Sequence, residues 1–164
     1  TYGAQNVGAS RYERLNKGLY SASLMGFGYS LLAFGIAWVF GRSLTGLFVS
    51  GDSSTQLVEL AQTYMITNVV AYPLLTLVNV VRFMIQGMGF SMFAILAGVM
   101  EMVARSLAGM FLVPALGYFG AALGSPLAWV AADIFLVPAY FRCRRVLMSQ
   151  SHHLHVATES GDNN

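Results

Sequence analysis

Charged side chains are spaced so widely along this sequence that the chain has to fold in lipid. Lys17 and Arg42 are separated by 24 uncharged residues, Glu59 and Arg82 by 22, Arg82 and Glu101 by 18, and Arg105 and Asp133 by 27. An apolar, uncharged run of about 18 residues or more matches a bilayer core about 30 Å thick. Only 10% of the residues are charged and the mean hydropathy is +0.61, whereas a soluble domain carries about 25% charge. The expected fold class is therefore all-α integral membrane. The formal net charge of +2 gives no ground for a nucleic-acid partner.

Four transmembrane helices are expected, over about residues 19–40, 60–86, 91–113 and 119–141. In the first, Ala22, Gly26, Ala33, Ala37 and Gly41 recur at mostly four-residue spacing, a pattern that lets a neighbouring backbone come close in lipid. Pro73 should kink the second and free a carbonyl one turn earlier. The stretch "VPALGYFG", with Pro114, Gly117 and Gly120, should divide the longest uncharged run into two spans.

Four spans put both ends of the chain on one side of the membrane. Arg11, Arg14 and Lys17 precede the first span, Arg82 borders the turn after the second, and Arg142, Arg144 and Arg145 follow the fourth. The opposite side has Arg42, beside Asp52 and Glu59. The excess of basic residues predicts a multi-pass protein of the cell membrane with both ends cytoplasmic. Residues 1–147 would form the membrane lobe, and 148–164, "MSQSHHLHVATESGDNN", a polar and disordered cytoplasmic tail. His152, His153 and His155 have no carboxylate or cysteine at useful spacing, so no metal site is expected there. Cys143 is the one cysteine, which excludes a disulfide within the chain.

The polar groups inside the spans carry the functional expectations. Glu101 and Arg105 lie four residues apart in the middle of the third span and share a face at that spacing. Each costs about 2.5–3.5 kcal/mol at the centre of a spanning helix, so such residues face a bundle interior or a watery cavity. One reading is an internal pair that locks the bundle; the other is a carboxylate that binds a coupling ion or proton, with Arg105 tuning it. In the second span Tyr64, Asn68, Tyr72, Thr76 and Asn79 recur at three- and four-residue steps. Such a stripe suits either a cavity for cationic or aromatic solutes or hydrogen bonds between packed helices. Asp133 stands between Pro126 and Pro138, where it would pair with Arg142 or Arg82 or serve a proton or cation relay. No soluble-enzyme motif is present, whether a dinucleotide fingerprint, a P-loop, HExxH or CxxC, and no cofactor is expected beyond Na⁺ or H⁺ as coupling ion.

Four stretches, in order, resemble the MATE family (multidrug and toxic compound extrusion transporters). "AQNVGASRYERLNKG" is similar to the cytoplasmic loop after the second helix of each half, and "LTGLFVSGDSSTQLVELAQTYM" to the external connection into the tenth helix. "VVRFMIQGMGFSMFAILAGVMEMVAR" resembles the Arg…Gln-Gly-x-Gly turn and eleventh helix, and "LVPALGYFGAALGSPLAWVAADIFLVPAYF" the twelfth. The resemblance covers roughly residues 1 to 147. It implies twelve helices in two six-helix lobes and alternating-access export of organic cations or other xenobiotics against Na⁺ or H⁺. The chain would then hold the tail of helix eight and helices nine to twelve, with an N-terminal lobe and helix seven as its partners. A start at "TYGA", with no initiator methionine or signal peptide, fits such a C-terminal part. Some members carry a cation-site carboxylate on the tenth helix, and none stands between Leu60 and Arg82 here. Glu101 is the replacement candidate. A lipid-linked oligosaccharide flippase would need a more cationic cavity, and a free-standing four-helix membrane protein is the remaining alternative.

Overall fold

The computed structural model describes residues 1–47 and 54–161, with side chains described as far as Gln150. Asp52 and the histidine side chains of the tail lie outside that description. A short helix α1 (Tyr2–Gly8) leads into α2 (Arg14–Gly46), which is followed by α3 (Ser54–Val70), α4 (Tyr72–Gly87) and α5 (Ser91–Leu107). A π-helical turn (Ala108–Leu112) and α6 (Val113–Leu116) extend α5, and α7 (Tyr118–Gly161) completes the chain. Among the described residues there is no strand. Three stretches are long and apolar enough to cross a membrane: Arg14–Gly46, Ser91–Leu116 and Tyr118–Gln150. A fourth follows if Thr55–Val70 and Tyr72–Gly87, bent by 48°, count as one span.

Polarity in α2 runs opposite to that of a soluble helix. Ser23, Ser30, Ala37 and Gly41 are buried, while Leu24, Met25, Leu31, Leu32, Trp38, Val39 and Phe40 are exposed. Lipid rewards this arrangement. Large apolar side chains lose nothing by facing acyl chains, and small residues let helices approach closely enough for dispersion and hydrogen bonds to hold them. At 1.5 Å per residue the 33 residues of α2 span roughly 50 Å, so the helix must tilt or extend beyond a core of about 30 Å.

The bend in the second span begins at Ala71, two residues before Pro73. Pro73 has no N–H to continue the α3 ladder, and it occupies the first turn of α4, where its missing N–H is not needed. The helix therefore ends and restarts. Pro114 likewise sits in the first turn of α6, and the π turn ahead of it absorbs the change in hydrogen-bond register. The expected break in "VPALGYFG" falls at Gly117 alone, with φ +59 and ψ −134, a conformation that only glycine adopts readily. Gly120 is already inside α7, with its Cα so close to the Leu112 carbonyl that a Cβ would collide with it.

Helix α7 is the hub, packing against α5, α4 and α3. Ala122, Ala128, Ala132 and Leu136 on it are fully buried. The helix is described as far as Gly161. No proline or glycine interrupts residues 148–160, and extending an existing helix avoids the cost of nucleating one.

One end of the bundle is tied together by buried Leu15, Met84, Met88, Tyr140, Cys143 and Leu147, and the Tyr140 hydroxyl donates to Asn16 Oδ1 at 2.8 Å. This brings the basic residues flanking the first and last spans to the same end. Arg42 stands at the other end of α2, 4.0 Å from Glu59.

A close seam lies between α2 and α4, where a Cβ on Gly26 would collide with the Thr76 methyl. Gly26→Ala should therefore lower stability by about 1–3 kcal/mol, the usual cost of overpacking. Adding Thr76→Ser, which removes the methyl and keeps the hydroxyl, should restore most of the loss. Thermal unfolding of the two variants in detergent checks this, and a Gly26→Ala protein as stable as the parent would refute the seam.

Candidate functional site

The polar stripe of the second span resolves into local bonds and one helix contact. Asn68 Nδ2 donates to the Tyr64 carbonyl at 2.9 Å and Asn79 Nδ2 to the Leu75 carbonyl at 3.0 Å, each one turn back on its own segment. Thr76 Oγ1 lies 3.2 Å from Ser30 Oγ, which itself bonds the Gly26 carbonyl at 2.9 Å. Tyr72 meets Trp129 edge-on with ring centroids 6.3 Å apart. Tyr72 also lines a mostly apolar groove of about 320 Å³ with Tyr29, Ile36 and Met65. Tyr64 is 44% exposed. The described geometry thus uses Thr76 for helix packing, leaves Tyr64 exposed and holds Tyr72 half-buried between Trp129 and the groove.

Glu101 has a partner that its sequence neighbourhood does not suggest. Its Oε1 is ion-paired with Nη2 of Arg82 on α4, and its Oε2 lies 4.0 Å from Arg105 Nη2. The Glu101 and Arg82 side chains are 16% and 21% exposed, against 52% for Arg105. The expected Glu101–Arg105 pair is the looser arm of a three-residue bracket, and Arg82, expected to border the turn, is drawn into the bundle. A signal for this was available. Residues 82 and 101 lie seven before and twelve after Gly89, where the chain turns with φ +91. A mismatch of five residues amounts to about 7.5 Å along a helix, within reach of an arginine. One side of the bracket opens to a groove of about 310 Å³ lined by Gly98, Glu101, Met102, Arg105 and Ser106.

Around the bracket, Ala94, Ala97 and Ala108 are buried, and Leu96, Val99, Val103, Leu107 and Met110 are exposed. Gly98 and Gly109 are exposed. With 3.6 residues per turn, the contact stripe passes through Ala97 and Ala104, so Gly98 falls on its outer edge.

Asp133 departs from its expected pairing. It is 7% exposed, and both carboxylate oxygens are buried without a hydrogen-bond partner. Arg82 is committed to Glu101. Arg142, nine residues further along α7, is about 13.5 Å away in helical rise, too far to fold back. Among the described residues no group of histidine, cysteine or carboxylate side chains is placed to hold a metal ion.

The MatE family model matches residues 1–109, a stretch that runs from α1 through α5 and contains Arg82, Glu101 and Arg105. The chain belongs to the MatE family. Members are membrane efflux transporters rather than enzymes, which agrees with apolar spans surrounding a small number of buried charges. Neither the curated proteins nor the solved structures give a match to this MatE chain.

A carboxylate in so apolar a setting depends on its deepest counter-charge. Arg82→Ala should destabilise the protein by about 3–5 kcal/mol, the cost of leaving a buried charge without its partner. Arg105→Ala, removing an exposed and looser contact, should cost no more than about 1 kcal/mol. Thermal or denaturant unfolding of the two variants in detergent measures the difference. Equal losses would mean that the two arginines hold Glu101 alike.

Proposed function

We propose that this chain is the C-terminal part of a cation-coupled antiporter that exports small organic, cationic solutes by alternating access. Its partners in that role are the helix seven and the N-terminal lobe that the family resemblance implies. The observation that carries the proposal is the bracket at Glu101, a carboxylate inside a spanning helix that is paired across to a second helix and borders an open groove. Buried ionisable residues are expensive in a bilayer and mark ion and proton pathways.

In this proposal the coupling ion, Na⁺ or H⁺, acts at Glu101. Neutralising the carboxylate weakens its attraction for Arg82 and with it the α4–α5 contact. The ion thereby favours one arrangement of the bundle over another by its differential affinity for the two. Arg105, more exposed, steadies the anionic state when the ion has left. Tyr64, which is exposed, and Tyr72, which lines the groove, carry aromatic rings of the kind that attract organic cations. Asn68, Thr76 and Asn79 can recruit a solute only by exchanging their present internal bonds. Basic residues gathered at one end of the bundle support a cell-membrane orientation with both ends cytoplasmic.

The test is Glu101→Gln in the complete transporter, reconstituted in vesicles with an imposed Na⁺ or pH gradient and a fluorescent organic cation. Coupling free energies of about 1–3 kcal/mol correspond to roughly 5–150-fold, so gradient-driven efflux should fall within that range while insertion stays normal. Unchanged efflux would reduce Glu101 to a packing residue. A loss under only one of the two gradients would identify the ion.

A further inference from the structure

The transport scheme makes no use of the most deeply buried acid. Asp133 lies on α7 with Ala128, Trp129, Ala132 and Leu136 within about one turn of it, all of them buried. Both of its carboxylate oxygens lack a hydrogen-bond partner. An ionised carboxylate in apolar surroundings without compensation costs far more than a fold can bear, and the group neutralises instead.

Three ways of neutralising it can be compared. The first is a guanidinium or ammonium partner. Among the elements packed against α7, α4 supplies Arg82 and α5 supplies Arg105, both placed on Glu101. From α3 comes Glu59, which faces Arg42. The remaining titratable side chains on these elements are Tyr64 on α3 and Tyr72 on α4, neither of them a cation, and the π turn and α6 contribute none. The second is a metal cation, but hard cations take several oxygens at once, and the buried neighbours along α7 have no side-chain oxygen to offer. The third is a proton, which needs no further ligand.

We propose that Asp133 is a proton-binding site, holding a proton as a neutral carboxylic acid in the packed bundle and releasing it when the bundle opens to water. On release the O–H bond breaks, the electron pair stays on the carboxylate, and the proton passes to a water molecule. Glu101 and Asp133 thus differ in their surroundings: Glu101 faces two guanidinium groups, and the Asp133 oxygens have no partner. Pairs of titratable groups whose surroundings separate their protonation in this way are those that divide acid and base roles between them. Glu101 on the adjoining helix reinforces the split, because a second negative charge nearby would be repelled. The inference holds whatever solute is carried.

The test is vibrational and independent of transport. Infrared spectra of the complete protein in lipid vesicles at neutral pH should contain the C=O stretch of a protonated carboxylic acid, sensitive to exchange into D₂O. Asp133→Asn should remove that band and Glu101→Gln should leave it in place. If the asparagine variant does not insert, Asp133→Glu should shift the band without abolishing it. A wild-type spectrum with no such band, or one whose band disappears with Glu101→Gln and persists in Asp133→Asn, overturns the proposal. Efflux unaffected by Glu101→Gln, with the Asp133 band present, would sink the coupling scheme and leave this site standing.

Discussion

The ion pair between Arg82 and Glu101 decides how the second and third spans sit against each other. Neither residue is tolerable alone in an apolar bundle, because each charge would have to be removed from water without compensation. Together they fix the register of α4 against α5 more sharply than the surrounding alanine and valine contacts, which tolerate sliding. The turn at Gly89 makes the two helices neighbours, and the charges then select one offset among the several that packing alone would allow. Arg105 closes the bracket from the exposed side, so the pair sits between a dry interior and an open groove.

A second constraint acts on the first span. Its association with α4 rests on a face with little bulk, where Gly26 approaches Thr76 and Ser30 bonds to it. Exposed Trp38, Leu31 and Phe40 contribute nothing to that contact and belong to the lipid. The opposite solution holds α7, which brings fully buried Leu136 and Tyr140 into the core beside its alanines. The bundle thus combines one thin, close seam with one conventional apolar core, and Asp133 lies within the latter.

Much of this was legible in the sequence, and what was not has physical reasons. The spans follow from charge spacing because the bilayer imposes one length on every uncharged run. The inward stripe of α5 was readable in part: helical periodicity places Ala94, Glu101 and Ala108 on one side, while buried Ala97 was not singled out and Gly98 and Gly109 lie outside the stripe. Arg82 as the partner of Glu101 was missed because sequence spacing within one helix favours the four-residue neighbour Arg105, while the true partner depends on how two helices align across a turn. The isolation of Asp133 was missed for a related reason: the arginines near it in sequence are either engaged elsewhere or too far along the same rod. The bend of the second span near Pro73 and the division of the longest uncharged run within "VPALGYFG" were both legible; that the latter falls at Gly117, past the π turn and Pro114, was not.

The position of the bend gives these parts a common logic. Ala71 divides the second span into a half carrying amides and Tyr64, bonded mostly to its own backbone, and a half carrying Thr76 and Arg82, bonded to other helices. The second half is therefore tied to both α2 and α5, while the first has no interhelical hydrogen bond from Asn68. The first half is held differently: it packs against α2 and α7, and Glu59 on it faces Arg42 of α2. The break at Ala71 thus joins a half held chiefly by packing to a half that adds hydrogen bonds and an ion pair across helices.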